Sequence, residues 1–159
     1  MEANALAPFA AAAAAELERT IPLVDALLAL ARPLTVPVDL SVALRPLVVL
    51  YRAIAVAAGG TLDMAQDAEH MFVQADGDTV RALLSEALDV TIGTNLEVSG
   101  KLGDSDGFIS LRMIGGAGRP IAARMERFAA EQDVRITSDE DETALLFPAR
   151  MRAGVDSNT

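Results

Sequence analysis

The sequence has no cysteine and no tryptophan, a single histidine, a single tyrosine and an aromatic share of only 4%. Without cysteine there can be no disulfide, no thiol nucleophile and no thiolate metal site. That suits a reducing compartment, and a cytoplasmic protein is the expectation. Basic residues are scarce too: 13 Lys and Arg stand against 23 Asp and Glu, a formal net charge of −10. A surface of that sign repels phosphate backbones and anionic lipid. Nucleic acid and membrane surfaces are therefore poor partners, and basic patches on other proteins are better ones. The apolar run at Ala10 to Ala15 stops at Glu16 and Glu18, well short of the roughly 20 residues a membrane span needs. No basic residue precedes Arg19, so the N-terminus lacks the charged start of a secretory signal.

What is present is 159 residues, 52% of them hydrophobic, enough for one compact domain and a small attachment. Residues 1–8 read as frayed, and 9–32 as a helix rich in alanine. Leu17, Ile21, Val24, Leu27, Leu28 and Ala31 recur in it at helical spacing. Pro22 either kinks this helix or starts a second one with Thr20 as N-cap. Asp39 reads as the cap of the next helix, whose stripe is Leu40, Leu44, Leu47, Val48, Tyr51, Ile54 and Ala55, closed by Gly59-Gly60. Short strands are expected at 61–65 and 70–74. A helix follows over about 78–92, capped by Asp76 or Asp78. Strands at 95–102 and 108–114 flank the turn signal Gly103-Asp104-Ser105-Asp106-Gly107. A last helix at 120–131 precedes strands at 133–138 and 143–148, joined by Asp139-Glu140-Asp141. This order predicts a two-layer α/β sandwich, a mixed sheet covered by helices, with an N-terminal helix. The divisions are 1–37, an N-terminal helical dimerisation segment; 38–150, the α/β domain; and 151–159, a flexible tail.

The same order resembles the ATP-binding domain of bacterial histidine kinases across about residues 16–148. Leu23 to Arg32 is similar to the end of the second helix of that family's dimerisation hairpin. Val38-Asp39-Leu40 is similar to the start of its ATPase domain, and Ala75 to Leu84 to the lead-in to its N-box helix. Gly116-Ala117-Gly118 resembles the Gly-x-Gly of its G1 box. The resemblance implies a pocket formed by Glu86, Val90, Ile114, Gly116 and Gly118, and a homodimer seam formed by Leu17, Ile21, Val24, Leu27 and Leu28.

The departures from the family pattern are chemical. The N box carries a Glu or Asn and, one helical turn on, an Asn that holds Mg²⁺. Glu86 fits the first position, but Val90 takes the second and offers no oxygen to a hard cation. The G1 box opens with an Asp that accepts a hydrogen bond from adenine; Ile114 stands there and cannot accept one. The second glycine-rich box and its lid have no counterpart, since Pro120 to Ala130 read as helix almost at once after Gly118. The only histidine, His70, falls on a strand or its edge, whereas the phosphoacceptor of histidine kinases and histidine phosphotransferases sits on a helix. The expectation is a degenerate, pseudokinase-like domain that uses no cofactor and binds no metal. It would dimerise and dock a partner protein such as a response regulator. Two rival readings are a switch that binds nucleotide weakly through Glu86, Gly116 and Gly118, and an anti-sigma-factor-like binder on the same fold.

Other polar groups carry bland readings. Glu86 and Asp89 sit three apart, as on many solvated helix faces. Asp104, Asp106 and Asp139 to Asp141 lack the spacing and bidentate Glu of a calcium loop, and read as turn formers. Gly115 to Gly118 read as a tight turn that keeps the geometry of a phosphate cradle.

Overall fold

A computed structural model describes residues 2–66, 71–92, 97–105, 107–115 and 123–149. The chain runs α1 (Glu2–Leu30), β1 (Val38–Asp39), α2 (Leu40–Ala57), β2 (Thr61–Gln66), β3 (Phe72–Val73), α3 (Gly77–Ile92), β4 (Glu97–Ser105), β5 (Phe108–Ile114), α4 (Ala123–Glu131), β6 (Arg135–Ser138) and β7 (Glu142–Pro148). His70, Asp106, Gly116, Gly118, the expected helix start at 120–122 and the tail at 151–159 lie outside the described residues.

Helix ends follow from local chemistry. The Asp39 carboxylate accepts the Ser41 N–H at 2.9 Å and starts α2. At the other end, Gly60 N–H reaches Ala55 C=O and Gly59 N–H reaches Val56 C=O. Gly59 takes φ +84, the left-handed stop of a Schellman motif. Asp76, not Asp78, caps α3: one of its oxygens accepts both the N–H and the hydroxyl of Thr79 at 3.0 Å. Asp133 repeats the stop after α4 at φ +57, with Val134 N–H on Ala129 C=O.

Two expectations about α1 are corrected. Residues 2–8 belong to the helix rather than fraying, and the helix passes unbroken through Pro8 and Pro22. Thr20 caps nothing; its hydroxyl donates back to Glu16 C=O at 2.7 Å, as helix-interior threonines do. A proline removes one backbone bond, and in a helix of 29 residues the remaining bonds carry the segment through.

Five strands form a mixed sheet in the order β2-β4-β5-β7-β6. The β2–β4 pair is parallel and the others antiparallel. The β4–β5 hairpin pairs as far as Ser105 opposite Phe108, so the turn is tighter than expected: only positions 106 and 107 lie between the strands, and Gly107 supplies φ +78. A small second sheet pairs β1 with β3. It joins the end of β7 through Val73 beside Ala149 and Gln74 N–H on Pro148 C=O. Leu40, Leu44 and Leu47 of α2, Val80, Leu84 and Leu88 of α3, and Leu102, Leu111, Leu145 and Phe147 of the sheet share one core. The two-layer α/β sandwich with an N-terminal helix is thus the observed architecture. Ile54, assigned to the buried stripe by its spacing, is half exposed at the far edge of α2.

Among the described residues one helix, α2, is long and apolar enough to cross a membrane by length and composition. Leu40, Ala43, Leu44, Leu47, Val48 and Ala55 of this helix lie in the core of the sandwich, which accounts for much of that composition.

Candidate functional site

Among the described residues, α1 touches its own domain with its C-terminal part. Ala26 is buried and Leu30 packs against the core. Leu17, Ile21, Val24, Leu27 and Leu28 lie on the other side of the helix and are 47–60% exposed. Leu6 and Phe9 extend the apolar exposure toward the N-terminus.

The segment between α1 and β1 is fastened to the start of α3. An Arg81 terminal nitrogen donates to Arg32 C=O at 2.9 Å. Gly77 lies so close to Leu34 that a Cβ there would sit 2.8 Å from the Leu34 Cβ and 3.1 Å from its carbonyl oxygen.

Of the pocket residues expected from the sequence, Glu86 and Val90 lie on α3 and Ile114 ends β5, and one contact joins the two elements. The buried Thr91 hydroxyl of α3 donates to Ala87 C=O and lies 3.2 Å from the Met113 sulfur of β5. The sequence neighbours of that contact are Val90 and Ile114. Val90 is partly exposed on α3, one turn beyond the partly exposed Glu86. Ile114 ends β5 opposite Ser99 and Glu142 and is 49% exposed. Gly115 follows in left-handed geometry, φ +105, and donates its N–H to Asp141 C=O. Together α3 and β5 offer aliphatic carbon at positions 90 and 114 and a carboxylate at 86. Among the described residues, no group of three or more His, Cys, Asp or Glu could hold a metal ion.

Glu86 and Asp89 do not act as a pair. Asp89 accepts the Tyr51 hydroxyl at 2.6 Å, and the same hydroxyl lies 3.2 Å from Ser85 C=O. Burial, that hydrogen bond and the charges of Asp89 and Glu86 together hold the Tyr51 phenol well above the usual tyrosine range. This bracket between α2 and α3 escaped sequence reasoning, which placed Tyr51 in an apolar stripe; a lone tyrosine within that stripe was the only signal. Asp139 and Glu140 are turn formers, as expected: Asp139 N–H reaches Glu142 C=O and its carboxylate accepts Glu140 N–H.

No family model and no curated protein matches the sequence. Solved structures do match. The catalytic domain of the histidine kinase ThkA aligns at TM-score 0.57 and 13% identity, over 69% of this chain and 93% of that one. The cytoplasmic segment of the histidine kinase QseC aligns at TM-score 0.57 and 14% identity, over 84% and 95%. Full-length ShkA in complex with AMPPNP aligns at TM-score 0.62 and 17% identity, over 87% of this chain and 38% of that one. At these identities the likeness is one of fold, and that fold is the one found in histidine-kinase catalytic domains.

Proposed function

We propose that this chain is a non-catalytic, cytoplasmic signalling adaptor, a pseudokinase-like domain that pairs through α1 and docks a partner protein such as a response-regulator receiver domain. The observation that carries the reading is Val90, one turn after Glu86 on α3, together with Ile114 at the end of β5, the strand that α3 touches. An ATPase of this fold needs a metal-binding oxygen at the first of these positions and an adenine acceptor at the other, and both are aliphatic here. With aliphatic carbon at both positions, the positioning that supplies much of any enzyme's barrier reduction would be lost. The fold supports a place in two-component signalling, and the apolar, exposed side of α1 supports an isologous helix pair.

The test is a thermal-shift titration with Mg-ATP. A ligand at 100 times its dissociation constant adds about 2.7 kcal/mol of stability. Millimolar Mg-ATP is expected to leave the transition unmoved. A clear upward shift would favour the rival reading, a weak nucleotide-binding switch.

A further inference from the structure

A second site lies under α2, lined by residues from Ser41 to Arg52 of that helix. There α2 and β2 border an open cavity of about 190 Å³. Ser41, Arg45 and Arg52 line it together with Leu44, Val48 and Met64. The three polar residues come to one face because they stand at helical intervals of four and seven.

Three features mark this cavity as built to receive something. The Ser41 hydroxyl is buried, with the residue 9% exposed, and has no hydrogen-bond partner among the described residues. Buried hydroxyls are nearly always partnered, by protein or by water, so one beside a cavity without a protein partner leaves a place for a water or a ligand atom. Next, the chain has only 13 basic residues against 23 acidic ones, yet two arginines border this one cavity and no carboxylate lines it among the described residues. Arg52 is held in place by its Nε donating to Leu62 C=O at 3.0 Å, which leaves its terminal nitrogens for another acceptor. Arg45 is exposed. Finally, one wall of the cavity is apolar. A Cβ on Gly100 of β4 would collide with the Met64 sulfur, so glycine there lets the thioether lie flat on the sheet.

We propose that this cavity binds a small organic oxyanion, a carboxylate or phosphate monoester carrying a ring-sized apolar body. The oxygens would take hydrogen bonds from Arg45, Arg52 and the Ser41 hydroxyl, and the body would lie against Leu44, Val48 and Met64. Guanidinium groups suit such oxygens because their donors form a planar fork. The volume suits a ring, since an apolar cavity of about 150 Å³ takes benzene.

The experiment is NMR titration of the full chain with benzoate, phenyl phosphate, inorganic phosphate and benzamide. Benzoate or phenyl phosphate should shift the amides of Ser41, Arg45 and Arg52. Benzamide, the same shape without the charge, should bind at least tenfold more weakly, and so should inorganic phosphate, which lacks the body. Whichever of benzoate and phenyl phosphate binds more tightly identifies the head group. Arg45→Gln touches no partner in the described structure, and Ser41→Ala removes only the hydroxyl; each should weaken binding tenfold or more while the remaining spectrum stays that of the folded protein. The proposal is overturned if neither organic anion shifts these amides. It is overturned equally if both variants bind as the wild type does, or if benzamide binds as well as benzoate. None of these outcomes depends on whether the chain binds ATP or forms a dimer.

Discussion

Tyr51 is the chain's only tyrosine, so its ionisation can be read without interference. Its phenol is held neutral in the folded state by burial and by Asp89. In the unfolded chain it ionises near pH 10. Above that value the unfolded state binds fewer protons than the native one, so stability falls as pH rises. Two outcomes are expected: the phenolate absorbance should appear together with loss of structure rather than before it, and Tyr51→Phe should flatten the alkaline slope. Removing the hydroxyl should also cost about 1 kcal/mol at neutral pH, from the bond to Asp89. Gly77 makes a second prediction. Its Cβ position is crowded by Leu34, two of the three nearest atoms being backbone, so Gly77→Ala must move the segment that leads from α1. Denaturant titration should show a loss of about 1–3 kcal/mol, the usual cost of overpacking. Neither residue is conspicuous in the sequence. A tyrosine in an apolar stripe reads as core, and a glycine after Asp76 reads as a turn, because the partners that give them their roles lie tens of residues away.

Among the elements, α1 carries the dimer proposal. Leu27 is 57% exposed, so Leu27→Glu costs the isolated subunit little. In a helix pair the same change would bury an unpartnered charge. Light scattering at micromolar concentration should give a dimer for the wild type and a monomer for the variant. A monomeric wild type would end the idea. The helical stripe was legible from spacing alone, but which side of α1 meets its own domain was not. Ala26 and Leu30 turn inward while larger neighbours face out, and only the packing against α2 decides this. Strands and helices of the sandwich were legible because each has a clear period and a chemical stop: Asp39, Gly59 and Asp76 all act as their types suggest. Of the β1–β3 pair only β3 was expected, within a strand at 70–74, and β1 was missed, since two-residue strands have no period to detect. The cavity under α2 was hidden altogether. It needs Met64 and Gly100 from two strands that pair only once the sheet is formed.

On the scale of the molecule, β4, β5 and β7 each have a partner strand on both sides, while β2 and β6 have one. Amides of Leu102, Leu111 and Leu145, on the doubly flanked strands and fully buried, should exchange with solvent most slowly. Those of Thr61 to Gln66 should exchange sooner, as the less supported part of one fold. Slowest exchange in β2 would mean that a further segment covers its open edge. The attachment of α1 has a geometrical consequence. The helix is fixed near Ala26 and Leu30, and its apolar side reaches back to Leu6, a lever of roughly 33 Å at 1.5 Å per residue. If two such levers lie side by side in the same direction, the sandwiches they carry meet at one end. If they run in opposite directions, the sandwiches part to the two ends of the rod. Because the chain has no cysteine of its own, one introduced at exposed Glu126 would take a single spin label, and the label-to-label distance would report the polarity of the pair.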